Sequence, residues 1–285
     1  MDEMAQQAAF KGQVDSFLVE RSYITNPQLC ASFFDSSLSR RLASKLSPVV
    51  RKAFYSALPK TGSYKTRGIQ LAPQRFADAI AGQSAVFKDA PIRRQPVADV
   101  HIAVDCSLSM EGTGEPSESP MLVANTAVYG LAKTLYQLPS INVQVDYFSS
   151  YKKVCFYRAC PFSQSPVQRN FAVKPFGSTP TGEAIRKGTE QLLKKRRGGE
   201  SNYLVMILDG ELPDDDSGKG IRHIDGMLSL ARQIGTTVFC IILSPFQQEA
   251  FQRGGFKAQE CIFIDDAHQL PTAFETLVQQ SLFNR

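Results

Sequence analysis

Residues 97–104, VADVHIAV, form a short run rich in Val and Ile that stops at a carboxylate, Asp105. An apolar run of this length suits a strand buried on both faces, and such a strand needs neighbours on either side and helices above and below. The chain downstream supplies them. The apolar rhythm predicts a helix over 121–138, strands at 141–148 and 152–157, a helix over 181–196 and a strand at 203–208. A helix over 221–234, a strand at 237–243, a short helix at 245–253, a strand at 261–264 and a closing helix over 266–282 follow. Only Ser149, Ser150 and Tyr151 separate the second and third strands, too few for a crossover, so these two are expected as an antiparallel hairpin. The expected fold class is α/β, doubly wound, with a mainly parallel six-stranded sheet and one antiparallel edge strand.

The first third of the 285-residue chain reads differently. Phe10, Val14, Phe17, Leu18 and Arg21 follow a helical rhythm that Asn26-Pro27 breaks. A second helix is expected from Ser37 to Ala57, with Leu38, Leu42, Leu46, Val49, Val50 and Phe54 on one face and Pro48 as a kink or interruption. Residues 59–72 read as loop, and 73–81 as a short helix. Residues 1–95 carry 14 Lys/Arg against 7 Asp/Glu, a net of +7, whereas the remainder carries 18 against 20, a net of −2. The expected organisation is therefore a basic helical N-terminal extension, 1–95, before an α/β domain, 96–285. The basic face, with Arg40, Arg41, Lys45, Arg51 and Lys52, suits an anionic partner or simple solvation. Six unevenly placed cysteines make no disulfide framework. The opening MDEMAQQAAF has no signal-peptide pattern, and no apolar run reaches the roughly 18 residues of a membrane span. A soluble, cytoplasmic protein is expected.

In an open α/β sheet, ligands bind beyond the carboxyl ends of the strands. Three polar stretches fall there: Asp105-Cys106-Ser107-Leu108-Ser109 after the first strand, Gly177-Ser178-Thr179-Pro180-Thr181 opening a helix, and Asp209-Gly210 after the strand YLVMIL. Two carboxylates, Asp105 and Asp209, and three hydroxyls, Ser107, Ser109 and Thr179, are hard oxygen donors suited to Mg²⁺, with Mn²⁺ the alternative ion. Two negative charges balance a divalent cation and leave it electrophilic toward a further carboxylate. Met110, Glu111, Gly177, Ser178, Gly210 and Glu211 flank these donors and are the expected partner-facing residues.

D-x-S-x-S, a Thr in a G-x-T-x-T-G loop and a strand ending in Asp-Gly resemble the three parts of the metal-ion-dependent adhesion site (MIDAS) of von Willebrand factor A (VWA) domains. The resemblance covers residues 97–285. It implies that Ser107 and Ser109 ligate the metal directly, that Asp105 and Asp209 act largely through waters, and that Thr179 joins when a partner is bound. Leu108 stands where that motif most often has Gly, which bears on loop conformation and affinity. The segment SSLSRRLASKLSPVVRKAF, Gly68-Ile69-Gln70-Leu71, Leu208-Asp209-Gly210-Glu211-Leu212-Pro213-Asp214-Asp215 and Ile264-Asp265-Asp266-Ala267 look like the C-terminal part of cobaltochelatase CobT-type proteins. That likeness implies a partnership with a MoxR-type AAA+ ATPase, in which the VWA protein recruits the substrate. Ring-forming relatives leave self-association open.

No G-x-x-x-x-G-K-[ST] occurs, so ATP hydrolysis is assigned to another chain. A phosphohydrolase using Asp105 as nucleophile wants a second acid two residues on, where Ser107 stands. His101, His223 and His268 lie beside no nucleophile elbow, and their expected roles are structural. Cys155 and Cys160 are too loosely spaced for zinc and have no second pair. The expectation is a non-enzymatic, metal-dependent binding protein, with a nucleic-acid-associated VWA protein as the alternative.

Overall fold

The structure, a computed structural model, describes residues 21–23, 28–56, 64–65, 70–71, 80–82, 87–88, 98–112, 119–138, 141–151, 153–195, 201–210, 212, 219–243, 248–265, 269 and 272–276. By contacts the chain divides into two units, 1–53 with 97–285, and 54–96. In chain order the elements are β1 (Arg21–Tyr23), α1 (Ser36–Ser56), β2 (Tyr64–Lys65), β3 (Gln70–Leu71), β4 (Phe87–Lys88) and β5 (Ala98–Asp105). Then come α2 (Pro120–Tyr136), β6 (Ile141–Tyr151), β7 (Lys153–Cys160), α3 (Thr181–Lys195) and β8 (Ser201–Leu208). The chain continues with α4 (Lys219–Gln233), β9 (Thr236–Ile242), α5 (Gln248–Arg253) and β10 (Cys261–Phe263).

The large unit is a sheet of order β1-β7-β6-β5-β8-β9-β10. Every residue of β5 is buried, because β6 and β8 pair with it in parallel along nearly its whole length. The six strands expected from the sequence are present, and β7 alone among them runs antiparallel, against β6. It is not an edge: β1 pairs in parallel along its outer side. The hairpin is longer than its sequence suggests. β6 runs on through Ser149 and Ser150 to Tyr151, and Tyr151 pairs with Lys153.

From β5 the chain first builds one side of the sheet, through β6 and β7, and α3 then carries it back to β8 on the other side of β5. The strand order reverses there, which opens a crevice at the carboxyl ends of β5 and β8.

α1 passes through Pro48 without interruption. It starts on Asp35, whose Oδ1 accepts the backbone N–H groups of Ser37 (2.7 Å) and Leu38 (2.9 Å). Leu38, Leu42, Leu46 and Val50, at helical spacing, are buried. Their counterface is α2: a Cβ added at Gly130 meets the Ser39 carbonyl at 3.2 Å and Leu42 Cβ at 3.6 Å, so the two helices touch backbone to backbone there. Asn125 Nδ2 donates to the Phe33 (3.0 Å) and Val173 (2.9 Å) carbonyls, tying the segment before α1 to the same layer.

In the second unit, β2 and β3 each pair antiparallel with β4, so 59–72 contains two short strands where the sequence reads as loop. The expected helix over 10–21 falls outside the described residues except for Arg21, which is in β1. Residues 73–79 of the expected short helix also lie outside them. No helix among the described residues is long and apolar enough to cross a membrane.

Leu42 and Leu46 are fully buried. Leu46→Ala is expected to lower the unfolding free energy of the large unit by about 2–5 kcal/mol. Urea denaturation measures this; a change within error would show that α1 is not part of that cooperative unit.

Candidate functional site

Asp105 ends β5 with 0% of its surface exposed. The chain then turns within hydrogen-bond reach of its own carboxylate: Ser107 N–H donates to Asp105 Oδ1 at 2.8 Å, an Asx-type turn that holds the carboxyl in place. The turn brings Ser107 Oγ and Ser109 Oγ to 3.0 Å of each other. A short 3₁₀ segment, Leu108–Glu111, follows. Ser119 then caps α2 through Met121 N–H (3.2 Å) and donates its own hydroxyl to the Met110 carbonyl (2.8 Å).

The loop carrying Thr179 is stitched to this turn from one side and to the hairpin from the other. Phe176 N–H donates to the Cys106 carbonyl (2.7 Å), and Leu108 N–H donates to the Gly177 carbonyl (2.9 Å). On the far side, Ser150 and Ser178 exchange backbone hydrogen bonds of 2.8 and 2.9 Å. The close approach demands glycine at 177. Its φ is +70°, and a Cβ there falls 2.3 Å from the Ser150 carbonyl oxygen. Behind the loop, α3 begins at Thr181, and a Cβ at Gly182 would fall 2.3 Å from the His223 ring. His223 Nε2 lies 3.2 Å from Glu183 Oε1, and Arg186 Nε donates to Glu183 Oε2 at 2.9 Å, so His223 serves to seat the first turn of α3.

Asp209 follows the last residue of β8, two positions past Ile207, the register partner of Val104, and its charge reaches Asp105. Gly210, at φ +106°, turns the chain away from the sheet. Burial, and then the neighbouring carboxylate of Asp209, push the Asp105 carboxyl up to about 7; the Ser107 N–H, the Ser107 hydroxyl and the Thr179 hydroxyl draw it back down. Asp105 Oδ2 is buried and has no hydrogen-bond partner among the described residues. A buried carboxylate oxygen left in that state is costly unless a proton or a cation meets it. Among the described residues no three His, Cys, Asp or Glu side chains converge, so a cation here relies on hydroxyl oxygens as well as carboxylates. That donor set, all oxygen, suits a hard divalent ion.

The five expected donors thus lie on three loops at the same end of the sheet. Asp105, Ser107 and Asp209 are buried, and Ser109 and Thr179 are half-buried. Among the partner-facing candidates, Glu111 and Ser178 are exposed and Gly177 is half-buried. Met110 does not belong with them: it is fully buried, its side chain pointing into the core under the turn. Gly210 is buried as well. Glu211 and the acidic run Asp214 to Asp216 lie outside the described residues. Two exposed apolar residues, one in the turn and one at the hairpin tip, were not among the partner-facing candidates. Leu108, at 56% exposure, stands outward between the two serines, and Tyr151, at 67%, follows the serine that bridges to Ser178. Leu for Gly at 108 was the available signal.

Elsewhere, His101 is buried, 3.2 Å from Asp146, which also takes Arg158 Nε at 2.9 Å. His101 and Arg158 hold the Asp146 carboxyl below its ordinary value despite burial. Cys155 and Cys160 are buried free thiols of β7.

The model of the von Willebrand factor type A domain family matches residues 99–275. The chain belongs to the VWA family. Solved structures with the same VWA fold include the pilus adhesin SpaC of Lactobacillus rhamnosus GG, with 15% identity, 67% of this chain and 31% of that one covered, and a TM-score of 0.50. The PilB minor pilin of Streptococcus sanguinis shares 16% identity over 71% of this chain and 66% of its own, also at 0.50. The proximal thread matrix protein 1 of the mussel byssus shares 12% over 66% and 48%, again at 0.50. The chain thus spans less than two thirds of the length of each. No curated protein matches the chain in sequence.

A divalent cation entering the cluster below pH 7 has to displace the Asp105 proton. Its affinity is expected to fall by up to about tenfold per pH unit below 7 and to level off above it. Calorimetric Mn²⁺ titrations at pH 6 and pH 8 read this directly, and equal affinities at both would remove Asp105 from the ligand set.

Proposed function

We propose that this VWA protein is a metal-dependent, non-enzymatic binding adaptor in which Asp105, Ser107, Ser109, Thr179 and Asp209 hold Mg²⁺, or Mn²⁺ in its place. The observation that carries the reading is the buried Oδ2 of Asp105, without a hydrogen-bond partner among the described residues, in the turn that pairs the Ser107 and Ser109 hydroxyls. When bound, the cation supplies an electrophilic position for a carboxylate oxygen of a partner protein. The chain's own residues do the rest. Ser107 N–H fixes Asp105, the bonds from Phe176 and Leu108 hold the Thr179 loop against the serines, and Leu108 and Tyr151 rim the site with apolar surface. A partner segment with an acidic residue beside an apolar one fits this combination.

The most specific form of the reading is a cytoplasmic adaptor for a MoxR-type AAA+ ATPase, as the CobT-like segments suggest, with 1–95 as a basic extension to the VWA domain at 96–285. A second reading has one observation in its favour. Arg40, Arg41, Lys45 and Arg51 are exposed on α1, a helix with no acidic residue, and such a face suits the phosphates of a nucleic acid.

Ser107→Ala is expected to abolish Mg²⁺-dependent thermal stabilisation and Mg²⁺-dependent co-purification of the ATPase while leaving the circular dichroism spectrum unchanged. Retention of the ATPase in EDTA would show that the metal site is not the recruiting element. For the second reading, the pair Arg41→Glu and Lys45→Glu is expected to weaken duplex DNA binding at least tenfold at low salt. Binding indifferent to both substitutions and to salt would refute it.

A further inference from the structure

Strand β10 lies at the edge of the large sheet and pairs in parallel with β9, with Cys261 directly opposite Cys240. Register partners in a parallel pair carry their side chains on the same face, with backbones about 4.8 Å apart. That spacing lies inside the roughly 4.4–6.8 Å Cα separation that a disulfide spans. All six cysteines are free thiols, and this is the one register pair made of two of them: Cys155 faces Ser149, and Cys160 faces Val145. The two sulfurs differ in environment. Cys240 is fully buried, whereas Cys261 is half-buried and lines a surface cleft of about 550 Å³ with Ile262, Phe263, Gln269 and Thr272.

We infer that Cys240 and Cys261 form a reversible disulfide under peroxide, a redox modification that clamps the edge strand to the sheet. The exposed member reacts first. The Cys261 thiolate attacks a hydroperoxide, its sulfur becoming sulfenic acid as the O–O bond breaks and water or an alcohol leaves. The Cys240 sulfur then displaces hydroxide from that sulfenic acid, its proton leaving with the hydroxide as water. Two thiols and one hydroperoxide thus give one disulfide, one water and one water or alcohol. Burial, and the hydrogen bond with Cys261, push the Cys240 thiol up, which suits a second, resolving sulfur better than a first nucleophile. β10 is only three residues long and has no strand on its outer side among the described residues, which lets it shift to close the bond.

The clamp sits on β9–β10, with β8 between β9 and β5 in the sheet order, and the inference does not rest on the metal reading. The test treats the folded full-length chain with hydrogen peroxide, blocks remaining thiols with iodoacetamide in denaturant, and maps peptides by mass spectrometry. The expected result is one cross-linked peptide pair, Cys240 to Cys261, lighter by two hydrogens, absent after dithiothreitol and absent from Cys261→Ser and Cys240→Ala. Backbone exchange at Ile262 and Phe263 is expected to slow at least tenfold in the oxidised chain, with Mn²⁺ affinity unchanged. Cys261 accumulating as sulfinic acid beside an alkylated Cys240 would overturn the inference, as would a cross-link to another cysteine or one that forms only in denaturant. Cys261→Ser, at the half-buried edge position, keeps the comparison valid if Cys240→Ala fails to fold.

Discussion

Two carboxylates from strands β5 and β8 are held side by side out of water, and the molecule is arranged around that placement. Parallel pairing carries the ends of both strands to the same edge of the sheet, so Asp105 and Asp209 arrive together. Neither burial nor the neighbouring Asp209 favours the charge of Asp105. What offsets part of the cost is local, the N–H of Ser107 and the hydroxyls of Ser107 and Thr179, while Asp105 Oδ2 adds to it. A site of this kind leaves a buried oxygen that a proton or a cation can meet, and this is what the proposed metal-dependent binding would use.

The loops around the carboxylates are joined to one another largely by backbone hydrogen bonds. The 105–109 turn, the 176–179 loop and the hairpin tip at 149–151 form a continuous chain of contacts through Cys106, Leu108, Gly177, Ser178 and Ser150. Backbone bonds impose geometry whatever side chain stands at each position. This is why Leu at 108, in place of the commoner Gly, leaves the turn intact and simply projects an apolar group to solvent. Gly177 is without substitute, because its φ and the Ser150 carbonyl exclude a Cβ. On the opposite side of the design, α1 covers α2 through a face of leucines, making part of the basic first third of the chain a layer of the large unit.

Much of this was legible from residues alone. The strand beginning at Ala98 could be read because a run apolar on both faces has one stable environment, and the hairpin because three residues cannot cross a sheet. The five donors stood out because carboxylates and hydroxyls at successive strand ends share a chemistry. Other features were hidden. The extension of β6 to Tyr151 depends on pairing with Lys153, and the Ser150–Ser178 bridge joins residues far apart in sequence. Met110 looked partner-facing from its position beside Ser109, yet the 3₁₀ turn rotates it into the core. β1 is three residues whose pairing with β7 has no periodic signature.

The sequence by itself determined the kind of sheet and the chemistry at its rim. Hydrophobic period and donor type are properties of short segments, and they survive in any arrangement that buries the one and gathers the other. Tertiary structure alone decided which of those groups are out of water and which residues face each other. It brought Asp209 beside Asp105, closed the glycine loop on Ser150, turned Leu108 outward and Met110 inward, and set Cys261 opposite Cys240. Each of these depends on strand register and order, and register is a relation between segments that no single segment contains.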